Sequence, residues 1–113
     1  MIQDNLDEVN KKFEQIYRRS PQIADELVYR YTFQLLSALI ASSPVDTGRL
    51  RSNWNQRSVG DATREISNNT EYAVYTEYAS KSPHRGWIEN TLRSETSGMK
   101  QEIEKEFRRL LGK

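Results

Sequence analysis

The stretch 43–54, S-P-V-D-T-G-R-L-R-S-N-W, holds the residues of this chain that come closest to a catalytic motif. Its triplet D-T-G, at positions 46–48, is the one that carries the catalytic carboxylate in aspartic proteases. That chemistry needs two carboxylates about 3 Å apart, so that they share one proton. A chain with one such triplet would have to dimerise to bring two Asp46 side chains together.

The residues around the triplet favour a turn over a protease site. Ser42, Ser43 and Pro44 follow a predicted helix, not the strongly apolar strand that precedes the triplet in aspartic proteases. Arg49 would add a full positive charge beside the carboxylate. An Asp side chain accepts backbone N–H bonds two residues on, and Gly adopts positive φ without steric cost. We therefore predict a rigid corner with a hydrophobic plug after it, made of Pro44, Val45, Asp46, Thr47, Gly48 and Leu50.

The composition describes one polar domain, 1–113, with little to suggest chemistry elsewhere. Only 35% of the 113 residues are hydrophobic and 29% are charged, so a partner could supply some of the missing burial. The net charge of +1, from 17 basic and 16 acidic residues, gives no electrostatic footprint for nucleic acid. The chain has no Cys, and the lone His84 has no ligand spacing around it. We predict no catalytic, metal or cofactor site.

The ends and apolar runs of the chain predict no membrane partner. The first residues, M-I-Q-D-N-L-D-E, are polar and acidic, unlike a signal peptide. The longest apolar run, 35–41, is far too short to span a bilayer. We therefore expect a protein made in the cytoplasm.

The periodicity of apolar residues predicts an α+β fold. Steps of three and four residues predict helices at 3–19 and 21–42, and Ser20-Pro21 marks the start of the second. Residues 52–59 and 63–68 read as the two short strands of an antiparallel hairpin. The segment E-Y-A-V-Y-T-E-Y-A fits a strand or a helical turn equally well. A long C-terminal helix is predicted at 84–111, with Gly98 as its weak point.

Three longer strings carry a resemblance to a known family. P-V-D-T-G-R-L-R-S-N-W, then E-Y-A-V-Y-T-E-Y, then S-P-H-R-G-W-I-E-N-T-L resemble the neck and tail-completion proteins of tailed bacteriophages, a family that includes the tail-completion protein Z of phage lambda. The resemblance covers roughly 43–95. The sequence departs from the family pattern at Asn53, Ala79 and the stretch 84–86. The family pattern therefore does not predict the conformation of the loop 79–86. The matching positions are Pro44, Val45, Asp46, Thr47, Gly48, Leu50 and Arg51 in the first block, and Tyr72, Ala73, Tyr75 and Glu77 in the second.

The resemblance implies a structural, non-enzymatic part of a virion. Family members sit between the head connector and the tail tube. The expected partners are further copies of the chain in a ring, six-fold by tail symmetry, a head-completion or connector protein, and a tail terminator or tail tube protein. No specific nucleic-acid site is implied, although DNA would pass through the ring. The alternatives are a generic phage-derived binding module and a single-triplet dimeric protease.

Candidate interface residues follow from the side chains in and near these strings. Tyr is enriched at binding surfaces, and Tyr29, Tyr31, Tyr72, Tyr75 and Tyr78 cluster in two segments. For Tyr31 and Tyr72, core packing with the hydroxyl at the rim is the favoured alternative. Glu77 is either an interface charge facing an arginine or a solvated carboxylate. Trp54 is either an interface anchor or part of the core. The predicted subunit or partner interface comprises Arg49, Arg51, Trp54, Arg57, Tyr72, Tyr75, Glu77 and Tyr78.

We predict that the purified protein has no proteolytic activity, because Asp46 follows a helix and Arg49 adjoins the triplet. Wild type and Asp46→Asn are compared on a casein substrate, with pepstatin as a second probe. Cleavage by wild type that is lost in Asp46→Asn would overturn this expectation.

Overall fold

The fold is α+β, as the sequence predicts. A computed structural model describes residues 2–44, 49–79 and 81–112. Within them, a two-stranded antiparallel sheet is inserted between helices. In chain order the elements are α1 (Ile2–Arg19), α2 (Pro21–Ser42), the single turn α3 (Arg49–Ser52), β1 (Trp54–Gly60), β2 (Thr63–Asn68), α4 (Glu71–Tyr78), α5 (Trp87–Thr96) and α6 (Met99–Leu111).

The first two helices have the predicted bounds because local signals define them. The Ser20 hydroxyl accepts a hydrogen bond from the backbone N–H of Ile23 at 3.3 Å, and Pro21 occupies the first turn, where its missing N–H costs nothing. At the other end Ser43 adopts an extended backbone, and its hydroxyl donates to the Leu39 carbonyl at 2.7 Å. That bond satisfies one of the carbonyls that the end of α2 leaves unpaired.

One hydrophobic core lies between α1, α2 and α6. Lys12 on α1 pairs with Glu104 on α6, and the Arg19 guanidinium lies 5.3 Å from the ring centre of Phe107, so α1 and α6 run in the same direction. Burying a large aliphatic or aromatic side chain contributes about 1.5–3 kcal/mol, which makes this the main source of stability. Its buried members are Val9, Ile16, Ala24, Leu27, Tyr31, Met99, Ile103 and Phe107.

A second, smaller core joins the end of α2 to the hairpin, α4 and α5. Its buried members are Leu39, Leu50, Ala73 and Trp87. Trp54 and Ile66 from the sheet pack against them. With two cores in line, the molecule is elongated, 49 × 25 × 19 Å, and its radius of gyration is 15.4 Å. A compact domain of this length would have a radius of gyration of about 13 Å.

The hairpin confirms the predicted strands with one correction. β1 begins at Trp54 instead of residue 52, because 49–52 forms the helical turn α3 that places Leu50 in the second core. Trp54 pairs with Asn68 at one end and Gly60 with Thr63 at the other, with an irregularity between Ser58 and Gly60. The 71–79 segment, which fits strand or helix by sequence, is helical over α4.

The prediction of a single long C-terminal helix at 84–111 is wrong. The structure contains two helices, α5 and α6, and the first starts at Trp87. Gly98 adopts a left-handed backbone, φ 76° and ψ −1°, which cannot continue a right-handed helix. The break redirects the chain so that Met99 enters the three-helix core, where it is 1% exposed.

Gly98→Ala is expected to lower the free energy of unfolding by about 1 kcal/mol, because a left-handed backbone strains any residue with a Cβ. The cost arises from the backbone alone, since no atom lies within 4 Å of the added Cβ. Urea denaturation measures it. The matched control is Gly112→Ala, where the backbone is right-handed at φ −77° and ψ −3°. Equal stability of Gly98→Ala and wild type would contradict the assignment.

Candidate functional site

The predicted corner is described only at its two ends. Pro44 and Leu50 are buried, consistent with a stiff entry and a hydrophobic plug. Positions 45–48, with Val45, Asp46, Thr47 and Gly48, lie outside the described residues, as does the side chain of Arg49. The turn therefore stays a prediction. Arg51, after it, is exposed and donates from its guanidinium to the Ser43 carbonyl at 3.3 Å, which ties α3 to the end of α2.

Two tryptophans join the hairpin to α5. The rings of Trp54 and Trp87 meet edge to face, with centroids 6.1 Å apart and planes at 84°. Trp54 donates its indole N–H to the Ser43 hydroxyl at 2.7 Å, and Trp87 donates to the Thr76 hydroxyl at 3.0 Å. Such ring pairs add about 0.5–1.5 kcal/mol beyond area burial. Trp54 is thus part of the second core, the alternative that its size favoured.

Glu77 is an internal helix cap, which corrects its interpretation as an interface charge. Its side chain is only 5% exposed. One carboxylate oxygen accepts the backbone N–H of Ile88 at 2.8 Å, and the other accepts that of Glu89 at 3.1 Å. These are N–H groups of the first turn of α5, which have no partner inside their own helix. A negative charge there also complements the positive end of the helix dipole.

The backbone around Gly86 completes this cap. Gly86 donates its N–H to the Glu77 carbonyl at 2.9 Å and adopts a left-handed backbone with φ 81°. Ser82 donates its hydroxyl to the Thr76 carbonyl at 2.8 Å, which anchors the loop between α4 and α5. Backbone and side chains therefore hold the inner side of α4 against the start of α5.

The outer side of α4 faces solvent and is largely apolar. Val74 is 62% exposed, Tyr75 51% and Tyr78 72%. The Tyr72 side chain lies outside the described residues. On the inner side, Ala73 and Thr76 are buried together with Glu77. The helical period separates the two faces, so Tyr75 and Tyr78 lie where a partner can reach them, as predicted for interface residues. Whether they meet a partner stays a prediction.

The hairpin presents a polar surface to solvent. Arg57 on β1 pairs with Glu65 on β2 at 3.1 Å, and both side chains are largely exposed. An exposed pair of this kind contributes roughly 0–1 kcal/mol. The guanidinium of Arg64 lies 4.9 Å from the ring centre of Tyr29 on α2. The assignment of Arg57 to an interface stays a prediction.

Sequence reasoning missed two exposed apolar side chains. Val74 and Phe33, 62% and 55% exposed, were not expected at the surface. Tyr31 is buried in the three-helix core, the alternative that the sequence favours for it over an interface. Burial raises the pKa of its hydroxyl, and the carboxylates of Glu102 and Glu106 add to the rise. The available signal was the helical period of α2, which places Phe33 nearly opposite Tyr31.

A cleft of about 740 Å³ lies between α1, α2, α5 and the hairpin. Its lining is mainly apolar and includes Phe13, Leu35, Ile66 and Leu92, and Tyr17 donates to the Asp61 carboxylate at 3.4 Å on its rim. Across the described parts of the chain, no three His, Asp or Glu residues are grouped as metal ligands would be. None of the helices in those parts has the length and apolar character to cross a membrane.

Glu77→Ala is expected to lower the free energy of unfolding by about 1–3 kcal/mol, because the α5 N–H groups lose a charged acceptor. Thermal and urea melts, with circular dichroism for helix content, measure the loss. Glu8→Ala is the matched control, since Glu8 is an exposed carboxylate on α1. Equal stability of the two variants would show that the cap contributes nothing.

The match to a family model extends over most of these elements. Residues 3–78, from α1 to the end of α4, match the family described as "Bacteriophage HK97-gp10, putative tail-component". No curated protein and no solved structure matches the chain. The family match confirms the resemblance to phage neck and tail-completion proteins that the strings at 43–54 and 71–78 carry. Because it spans more than half of the 113 residues, the chain belongs to the HK97-gp10-like family of bacteriophage tail components.

Proposed function

We propose that this chain is a structural, non-enzymatic protein of the phage neck, where a ring of identical copies joins the head connector to the tail. The observation that carries the proposal is the family match over 3–78, which includes the solvent-facing side of α4. On one side the ring meets a head-completion or connector protein, and on the other a tail terminator or tail tube protein. Six copies would match the symmetry of the tail, and DNA would pass through the lumen.

The distribution of apolar side chains supports assembly with further copies. The chain is elongated and leaves large apolar side chains exposed on α2 and α4. Contiguous exposed apolar surface in a soluble protein marks an interaction site more often than an accident of composition. A subunit with a small core can complete its burial against identical neighbours, and closed symmetry limits the number of copies.

The hydrogen-bonded joint between α4 and α5 also supports a role in assembly. A joining protein has to present the same surface in every copy, and order that exists before binding reduces the entropy lost on association. The paired tryptophans and the Glu77 cap hold α4 from its inner side, which leaves the outer side available. Exposed charges around such a surface act mainly on register and partner choice.

The hairpin supports a controlled mode of contact. Among the described residues, each strand pairs with only the other strand, so each keeps one open edge. Open edges tend to pair with other chains, and charged side chains limit this to partners with matching charges. Arg57, Arg64 and Glu65 supply such charges on the two strands.

A phage that lacks this chain is expected to accumulate filled heads and separate tails, because no ring closes the junction. Electron microscopy of the lysate and plaque counts measure the defect. Wild-type chain supplied in trans is expected to restore joined particles, and the surface variant Glu8→Ala, as the control, to restore them equally. Joined, infectious particles in the absence of any copy of the chain would remove the joining function.

A further inference from the structure

Helix α2 is apolar on two opposite sides. Its inner side supplies Leu27, Tyr31 and Leu39 to the two cores. Its outer side carries Tyr29, Phe33, Leu36 and Ile40, which follow one another at steps of four, three and four residues and so lie in one line. Tyr29 is 52% exposed, with the Arg64 guanidinium 4.9 Å from its ring centre, and Phe33 is 55% exposed, while Leu36 and Ile40 are partly exposed. We call these four residues the α2 stripe.

Exposed apolar surface of this kind is a feature of interaction sites. The α2 stripe spans about 16 Å at 1.5 Å per residue. A second exposed apolar helix surface in the described residues is the outer side of α4, which carries Val74, Tyr75 and Tyr78. It is shorter than the stripe, so it would fit within the stripe's length.

The charges at the ends of the two surfaces are complementary. Exposed Asp25 and Glu26 precede the α2 stripe, and exposed Arg51 follows the end of α2. Along α4 the charges have the same order, and exposed Glu71 begins the helix. Lys81, His84 and Arg85, all exposed, follow it in the loop to α5. Laid antiparallel, the basic loop after α4 meets the acidic start of the α2 stripe.

We propose that α4 of one copy packs antiparallel on the α2 stripe of the next copy. Tyr78 then lies near Tyr29, Val74 near Phe33, and the basic loop after α4 near Asp25 at the start of the next copy's α2 stripe. The two surfaces differ, so the contact is heterologous, and heterologous contacts generate rings when the rotation between neighbours closes. This inference rests on the proposed ring and names the surfaces that build it.

The absence of Cys from the 113 residues allows a direct test by directed cross-linking. Phe33→Cys and Val74→Cys chains, carrying different tags, are supplied together to a phage that lacks its own copy. A short bismaleimide is then added to the purified particles. We expect a mixed 33–74 dimer that neither variant forms alone. The matched controls replace each partner in turn with Glu8→Cys, on the exposed side of α1.

Each alternative contact has its own outcome in this experiment. A 33–33 dimer would mean that two α2 stripes pack symmetrically, and would overturn the proposal. A further pair of chains, Val74→Cys with Phe13→Cys, tests the cleft beside α1, and a 13–74 link would overturn the proposal as well. Joined particles without any mixed 33–74 dimer would also overturn it, while leaving the joining function intact.

Charge exchange gives a second readout on folded protein. Asp25→Arg and Arg85→Asp are each expected to reduce the yield of joined particles, and the double variant to restore part of that yield. Both side chains are exposed, so the circular dichroism spectra should match wild type. Additive loss in the double variant would contradict the pairing. If wild-type chain itself fails to join heads to tails, the proposed function fails, independently of which surfaces meet.

Discussion

The edge-to-face contact between Trp54 and Trp87 is the interaction on which the second half of the molecule depends. Each indole stands at the first residue of its element, β1 or α5, and each donates its N–H to a hydroxyl on another segment, Ser43 or Thr76. One contact therefore fixes the hairpin, the end of α2, α4 and α5 relative to one another. An indole buried without an acceptor would lose about 1–3 kcal/mol, so these two small hydroxyls are as necessary as the rings.

Glu77 connects this joint to the surface that we assign to assembly. Both oxygens of its carboxylate accept hydrogen bonds from backbone N–H groups of α5, so Glu77 stabilises the inner side of α4. The apolar side chains on the opposite face of the same short helix are left to solvent. A helix of eight residues has little stability of its own, and most of its stability must come from tertiary contacts. The internal cap on one side of α4 thus holds in place the helix that exposes the apolar surface on its other side.

The two cores have different roles in the structure. The three-helix core buries the large aliphatic residues of α1, α2 and α6 and is the larger of the two cores. The smaller core positions short elements that would be unstable alone, since a lone two-stranded hairpin is marginal in water. The α2 stripe and the outer side of α4 are the apolar surfaces that neither core buries. In the contact that we propose, their end charges favour the antiparallel direction, which apolar area alone would not.

The sequence by itself determined α1, α2, the hairpin and the family, because caps, helical periods and motif strings are local signals. Ser20-Pro21 defines a helix start whatever packs on it. The sequence could not place Glu77, since its partners at 88 and 89 come from a separate helix, nor divide the last helix, where the left-handed Gly98 turns Met99 into a distant core. Only the tertiary structure decided that 71–78 is a helix, because strand and helix periods both fit its residues. Contacts made by its buried side with α5 and the second core settle the choice.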